Sequence, residues 1–173
     1  MESGSGTVVT AELRSIGFNR KELRSEIVIE APPERVWSIL TDFERFPEWN
    51  PFIRKISGKI EARGRLSVTL HPSGGRTTAF KPTILKAEPN RELQWIGHIG
   101  FPGLFDGQHI FELQPLGDSM TRFVQREQYG GILLPFVSGM LRNETARGFD
   151  EMNRALKERA EEGTAGTALP PIT

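Results

Sequence analysis

Two ionisable side chains are predicted to share an otherwise apolar strand face. Apolar residues alternate around His109, which places this histidine on the same side of its strand as Phe111, because successive strand side chains point to opposite faces. The same alternation around Glu127 places this carboxyl group with Phe123. An imidazole and a carboxyl group on one apolar surface can transfer protons to and from a bound organic molecule. They can also be ligand anchors or structural residues, and the pattern leaves these alternatives open.

Other kinds of catalytic chemistry are not indicated. The chain has no cysteine, which excludes disulfides, thiolate catalysis and cysteine-bound metal. Its three histidines, His71, His98 and His109, include no pair with metal-ligand spacing. His98 is predicted to face outward as an ordinary surface residue. The sequence contains no phosphate-binding glycine loop, dinucleotide fingerprint or nucleophile elbow. We therefore expect neither a metal nor a cofactor.

Charge and hydropathy restrict the partners of this chain. Lys and Arg together number 22, as do Asp and Glu, so the formal net charge is zero. Nucleic-acid-binding proteins usually carry a basic excess, and we expect no nucleic acid as a partner. No apolar run approaches the roughly 20 residues that span a bilayer, and the N-terminus lacks the apolar segment of a secretory signal. We expect a cytoplasmic protein without a transmembrane segment, as a monomer or weak dimer.

The elements that must position His109 and Glu127 are strands. Turn residues separate six segments with a period of two: 52–58, 65–70, 76–87, 92–99, 108–115 and 121–129. Short connections between consecutive strands predict an antiparallel meander. Pro82 lies inside the third segment and has no N–H for a strand ladder. We expect it at an edge, a bulge or a bend of the sheet.

Helices are predicted on both sides of this strand region. Residues 23–30 predict a first strand, and two short helices follow between residues 33 and 46, with prolines at the joints. Residues 132–161 form an amphipathic pattern in which apolar residues recur at spacings of three and four. We expect this long helix to bury its apolar stripe in the concave face of the sheet.

The domain limits follow from composition. Residues 1–20 are expected to be a loose N-terminal extension, in which residues 8–16 could form a short extra element. Residues 21–162 are expected to form the domain. Residues 163–173 are rich in Gly, Ala, Thr and Pro, and we expect them to be a disordered tail.

Several stretches of the sequence resemble one superfamily. They are EIVIEAPPERVW at 26–37, LTDF at 40–43, PEWNPF at 47–52, LQW at 93–95 and GLFDGQHIF at 103–111. Together with the terminal helix they resemble the SRPBCC, or START-like, superfamily, and within it the bacterial polyketide cyclase/dehydrase and lipid-transport group. The resemblance implies an α+β helix-grip fold, with a curved antiparallel sheet of about seven strands around a long C-terminal helix and two short helices.

The fold implied by this resemblance encloses a cavity, and we expect one of several hundred Å³. Its mouth is expected near residues 101–105, and the apolar segment 99–105 is expected to be a flap at this entrance. The predicted ligand-binding residues are Trp95, Phe101, Phe105, His109, Phe111, Phe123, Glu127, Phe149 and Met152.

The function predicted from these features is binding or transport of a hydrophobic small molecule, lipid-like or polyketide-like. One alternative is a cyclase/dehydratase-type enzyme that uses His109 and Glu127 for acid–base chemistry. The other is a protein-interaction module, because fold does not imply function.

Overall fold

The computed structural model describes residues 8–162, in which nine strands form two antiparallel sheets. In chain order the strands are β1 (Val8–Gly17), β2 (Arg20–Ile29), β3 (Ile53–Gly58), β4 (Leu66–Leu70), β5 (Thr78–Phe80), β6 (Thr83–Glu88), β7 (Glu92–Ile99), β8 (Phe105–Pro115) and β9 (Thr121–Gly130). The larger sheet has the strand order β1-β2-β9-β8-β7-β6, and the smaller has the order β3-β4-β5. The predicted antiparallel, curved sheet is confirmed.

The helices occupy the predicted places. Between β2 and β3 lie α1 (Pro33–Thr41), a 3-10 turn (Phe43–Arg45) and α2 (Phe46–Trp49). The terminal helix consists of α3 (Leu134–Met140), a π-helical turn (Leu141–Thr145) and α4 (Ala146–Glu161). Its stripe residues Phe149, Met152 and Leu156 are fully buried, and α4 packs on β2. The helix-grip fold is therefore confirmed. No helix within residues 8–162 is both long and apolar enough to cross a membrane.

Pro82 divides one predicted strand into two. Residues 76–87 were expected to form a single strand, and that expectation is wrong, because β5 and β6 belong to different sheets. Pro82 lies between them, where the chain passes from the smaller sheet to the larger one. A proline cannot donate to a ladder, which makes this a suitable residue for the bend.

The N-terminal stretch is more ordered than its composition suggested. Residues 8–17 form β1 along β2, so the expectation of a loose extension does not hold for them, and the short extra element expected in residues 8–16 is this strand. Pairing with β2 satisfies the backbone groups on one side of this edge strand, and the Ala11 N–H donates to Asp150 Oδ1 of α4 at 2.9 Å. Residues 1–7 and the tail expected at 163–173 lie outside the described residues. The domain limits themselves stay a prediction.

A buried polar cluster joins α4 to this edge of the sheet. Ser25 Oγ donates to Asp150 Oδ1 at 2.8 Å, and Asn153 Nδ2 donates to Ser25 Oγ at 3.0 Å. All three side chains are buried, and none of them lines a cavity. We call these three residues the Asp150 cluster. They place α4 on β2 through directional bonds as well as through apolar burial.

Candidate functional site

A cavity of about 630 Å³ lies between the two sheets and the start of the terminal helix. Such a volume is within the range of about 300–1,000 Å³ that is common for small-molecule sites. The apolar and glycine part of the wall consists of Phe52, Leu70, Pro72, Gly74, Gly75, Phe80, Gly97, Ile99, Phe105, Gly107, Tyr129, Met140 and Leu141. The polar part consists of Arg76, Thr78, His98, Glu127, Glu144 and Thr145. The cavity size agrees with the expectation from the resemblance.

The π-helical turn provides one wall of the cavity. Leu141, Glu144 and Thr145 all belong to this turn and all line the cavity. A π turn widens a helix by one residue and occurs often at functional sites. Here it divides the long helix into a part that faces the cavity and a part that fills the core.

The predicted ligand-binding residues are brought together only in part. Of the nine, Phe105 and Glu127 line the cavity. Six others pack in the adjoining core: Trp95, His109, Phe111, Phe123, Phe149 and Met152. The remaining one, Phe101, is exposed and does not line the cavity.

The core position of these aromatics has a packing reason. The rings of Trp95 and Phe111 are 5.0 Å apart, and those of His109 and Phe149 are 5.1 Å apart. Aromatic edge and face contacts at such distances stabilise a filled interior. Strand alternation identifies the inner face correctly, but it does not tell how far along the strand the interior is filled. The cavity begins beyond His109, on the side of Gly107 and Tyr129.

Glu127 is the buried carboxylate of the cavity wall. It lies directly opposite His109 in the β8–β9 ladder, and its side chain is only 16% exposed. Tyr129 Oη donates to Glu127 Oε2 at 2.8 Å, and His109 Nδ1 lies 3.4 Å from the same oxygen. The other oxygen, Oε1, points toward Gly107, where a Cβ atom would approach it to 2.6 Å. Glycine at 107 therefore leaves room for the carboxylate.

The partners of Glu127 continue into the core. The amide nitrogen of Gln125 lies 3.1 Å from His109 Nε2. With the amide nitrogen as donor, His109 Nε2 is the acceptor, and Nδ1 is the ring nitrogen that carries a proton and faces Glu127. The result is a chain from Gln125 through His109 to Glu127.

Tyr129 joins this chain from the cavity side. Burial raises the pKa of the Tyr129 phenol well above its ordinary value, and the Glu127 charge raises it further. The phenol therefore stays protonated as a donor to Glu127. Alternation predicts Tyr129 on the same face as Glu127, two residues further along β9, so its place in the wall could have been found from the sequence.

A second polar pair lies at the rim. His98 Nδ1 is 2.7 Å from Asp106 Oδ1, and the Gly103 N–H donates to both oxygens of Asp106. Burial raises the pKa of Asp106, but the hydrogen bonds from His98 and Gly103 outweigh this effect and leave the pKa lowered. His98 was expected to be ordinary surface. It is solvent-exposed as predicted, but it also lines the cavity, and its partner Asp106 on β8 accepts from Gly103 in the loop between β7 and β8.

The β4–β5 turn closes the opposite side of the cavity. Ser73 Oγ donates to Glu151 Oε2 at 2.7 Å, which fastens the turn to α4. Arg76 follows in the same turn, and Glu144, from the helix side of the wall, lies against Gly75 of this turn. Neither Arg76 nor Glu144 carries a signal in the sequence, because both belong to segments that meet only in the folded chain.

The fold, with its cavity between the sheets and the long helix, defines a START-like helix-grip protein. The family described as "Polyketide cyclase / dehydrase and lipid transport" matches residues 20–161, and the chain belongs to this family. The resemblance read from the sequence is thereby confirmed. None of the curated proteins matches the chain.

Solved structures share the fold at low sequence identity. The Zhui aromatase/cyclase from Streptomyces sp. R1128 has a TM-score of 0.71 and 13% identity, covering 86% of this chain and 98% of its own. A START superfamily protein from Mycobacterium smegmatis has a TM-score of 0.65 and 22% identity, covering 82% and 97%. Norcoclaurine synthase from Thalictrum flavum has a TM-score of 0.65 and 14% identity, covering 87% and 99%. At such identities these likenesses concern the fold.

Proposed function

We propose that this protein binds a hydrophobic small molecule in the cavity between its two sheets and the π-helical turn. The observation that carries the proposal is a partly open cavity of about 630 Å³ with a mainly apolar wall and a largely buried carboxylate, Glu127. Ligand sites typically combine apolar walls with a few placed polar groups. The family description includes lipid transport, which supports a lipid-like or polyketide-like ligand.

The carboxylate of Glu127 would orient the ligand. Its Oε2 is occupied by Tyr129, with His109 nearby, whereas Oε1 faces the space beside Gly107. A carboxylate only accepts hydrogen bonds, so the matching ligand group is a donor such as a hydroxyl. The expected ligand has an apolar body and at least one hydroxyl or phenol that reaches Glu127.

Native mass spectrometry of the freshly purified protein tests this proposal by detecting a co-purified molecule. The protein is then titrated with a fluorescent apolar probe, and the co-purified molecule should displace this probe. Glu127→Gln should weaken binding of a hydroxylated ligand by about tenfold or more, because a hydrogen bond to a charged group is lost. Glu88→Gln is the control, since this carboxylate lies on β6 outside the cavity wall. A protein that retains no molecule and binds no apolar probe would contradict the proposal.

An acid–base enzyme of the cyclase/dehydratase type is the second candidate. The observation that favours it is the chain Gln125–His109–Glu127, which holds a carboxylate at the cavity wall with a protonated phenol beside it. Glu127 Oε1 would accept a proton from the substrate, and the imidazole Nδ1–H and the Tyr129 hydroxyl would steady the carboxylate.

Steady-state kinetics would separate the two candidates. If the ligand is turned over, Glu127→Gln should abolish turnover while ligand affinity changes little. His109 does not line the cavity, and His109→Gln should lower turnover less than Glu127→Gln does. Retention of the ligand without chemical change over many hours supports the carrier.

A further inference from the structure

Most of the exposed apolar side chains are concentrated at one end of the molecule. Residues 10–162 contain nine large hydrophobic side chains that are exposed, and seven of them fall in three short segments, residues 16–21, 99–105 and 131–142. They are Ile16, Phe18, Ile99, Phe101, Ile132, Phe136 and Met140. Only Leu85 and Met120 lie elsewhere. We call these three segments the apolar tip.

Hydrogen bonds join the three segments into one surface. The Asn19 side chain donates to the Gly131 carbonyl at 2.8 Å, which joins the β1–β2 turn to the start of the terminal helix. The Ile132 N–H donates to the Gly103 carbonyl at 3.0 Å, which joins the same helix start to the β7–β8 loop. The apolar tip is therefore a continuous region built from three parts of the chain.

The side chains of the apolar tip project singly into solvent. Phe18 is 101% exposed, Phe136 is 83% exposed and Ile132 is 66% exposed, so these side chains are hardly shielded by their neighbours. A rigid protein partner would need a separate pocket for each of them. A fluid apolar phase closes around each side chain without such matching. Concentrated exposed apolar surface usually marks a binding region.

The charge of the apolar tip has one sign. Its three segments contain Arg20, Lys21 and Arg142 but no Asp or Glu, although the chain as a whole has equal numbers of acidic and basic residues. Lys21 donates to Ser138 Oγ at 2.8 Å. Arg20 and Arg142 are exposed and form no salt bridge within the described part of the chain. Exposed aromatics beside unpaired basic groups match the two layers of an anionic bilayer surface.

We propose that the apolar tip docks on the surface of a lipid bilayer with anionic headgroups. Phe18, Phe101 and Phe136 enter the interface, while Arg20 and Arg142 contact headgroup phosphates. Ile99 and Met140 belong both to the apolar tip and to the cavity wall, so docking brings the cavity next to the acyl chains. The docking depends on surface residues and does not require the cavity to hold any particular ligand.

The test is flotation of the purified full chain with vesicles, without added ligand. One set of vesicles is phosphatidylcholine with about 30% phosphatidylglycerol, and the other is pure phosphatidylcholine. The double variant Phe18→Ser/Phe136→Ser should lower the partition coefficient at least tenfold on the anionic vesicles. The matched control, Leu85→Ser/Met120→Ser, removes two exposed apolar side chains outside the apolar tip and should change it less than twofold. Arg20→Glu/Arg142→Glu should remove the preference for anionic vesicles.

Three results would overturn the proposal. One is the absence of wild-type flotation on both vesicle types, and another is an equal loss in the two serine double variants. The third is a wild-type dimer in sedimentation velocity that dissociates only in the Phe18→Ser/Phe136→Ser variant, together with no vesicle binding. That result would show that the apolar tip binds a second copy of the chain. Urea unfolding of each variant should match the wild type, since all the substituted residues are exposed. A ligand-free cavity would contradict the proposed function but leave this docking intact.

Discussion

The two halves of the terminal helix use the same kinds of residues for different purposes. The core half, residues 146–161, buries Phe149, Met152 and Leu156 completely against the larger sheet. The cavity half, residues 134–145, includes the π-helical turn and leaves Met140 exposed at the cavity edge. A single amphipathic stripe is therefore core along one part of its length and cavity wall along the other.

The buried carboxylates beside the two halves differ in the same way. Asp150 Oδ1 accepts hydrogen bonds from Ser25 and from the Ala11 N–H, in a place without a cavity. Glu127 Oε2 accepts from Tyr129, while its Oε1 faces the cavity side at Gly107. A buried charge needs partners in either case. What distinguishes an anchor of the fold from a candidate binding group is the open space next to it.

The largest expected effect is in the core half. Phe149→Ala should lower the free energy of unfolding by about 3–5 kcal/mol, because a completely buried ring is replaced by a cavity. Met140→Ala, in the cavity half, should cost about 1 kcal/mol or less, since that side chain is exposed. Urea unfolding followed by circular dichroism measures both values. Similar costs for the two variants would show that the halves do not differ as described.

The Asp150 cluster should affect stability without affecting the ligand. Asp150→Ala removes the acceptor of Ser25 and of the Ala11 N–H and should cost about 1–3 kcal/mol. The affinity of the folded protein for an apolar probe should stay within about twofold of wild type, because the cluster does not line the cavity. Calorimetric titration well below the unfolding temperature measures that affinity. A large loss of affinity would show that the Asp150 cluster is coupled to the cavity, and would contradict their separate roles.

Gly107→Ala should lower ligand affinity and leave stability nearly unchanged, which is the opposite of the result expected for Asp150→Ala. The new Cβ would approach Glu127 Oε1 to 2.6 Å and displace the flexible end of that side chain, so stability should change by less than about 1 kcal/mol. Affinity for a hydroxylated ligand should fall several-fold, since the carboxylate moves from its place. Gly130→Ala is the matched control in the same sheet, because nothing lies within 4 Å of its Cβ position. Equal affinities of the two variants would remove Glu127 from the binding site.

The smallest effect concerns acid pH at the cavity rim. The pKa of Asp106 is lowered in the folded protein, so its ionised form contributes stability that is present above the unfolded-state pKa. That contribution, below about 1 kcal/mol, is lost as the pH falls through the folded-state value. The protection factor of the Gly103 amide, which is its intrinsic hydrogen-exchange rate divided by the observed rate at the same pH, should then fall because its acceptor is protonated. Asp106→Asn should show less of this acid dependence, and an unchanged dependence would contradict the role of Asp106.

Much of the fold could be predicted from local patterns. The period of two predicted most of the strands, and the spacing of three and four predicted the terminal helix. The period of two also places His109 and Glu127 on the inner face, where they lie opposite each other. The exceptions need partners from elsewhere in the chain. β1 is ordered by pairing with β2, and residues 76–87 divide at Pro82 between two sheets.

The sequence by itself determined the family, the antiparallel sheet, the long helix and the buried stripe, because periodicity and turn residues act over short distances along the chain. Only the tertiary structure decided where the interior is filled and where it stays open. That boundary depends on how Trp95 and Phe149 pack around His109, and on the contact between Glu144 and Gly75. Such contacts join residues distant in the chain, and the space they leave is a property of packing rather than of any single segment.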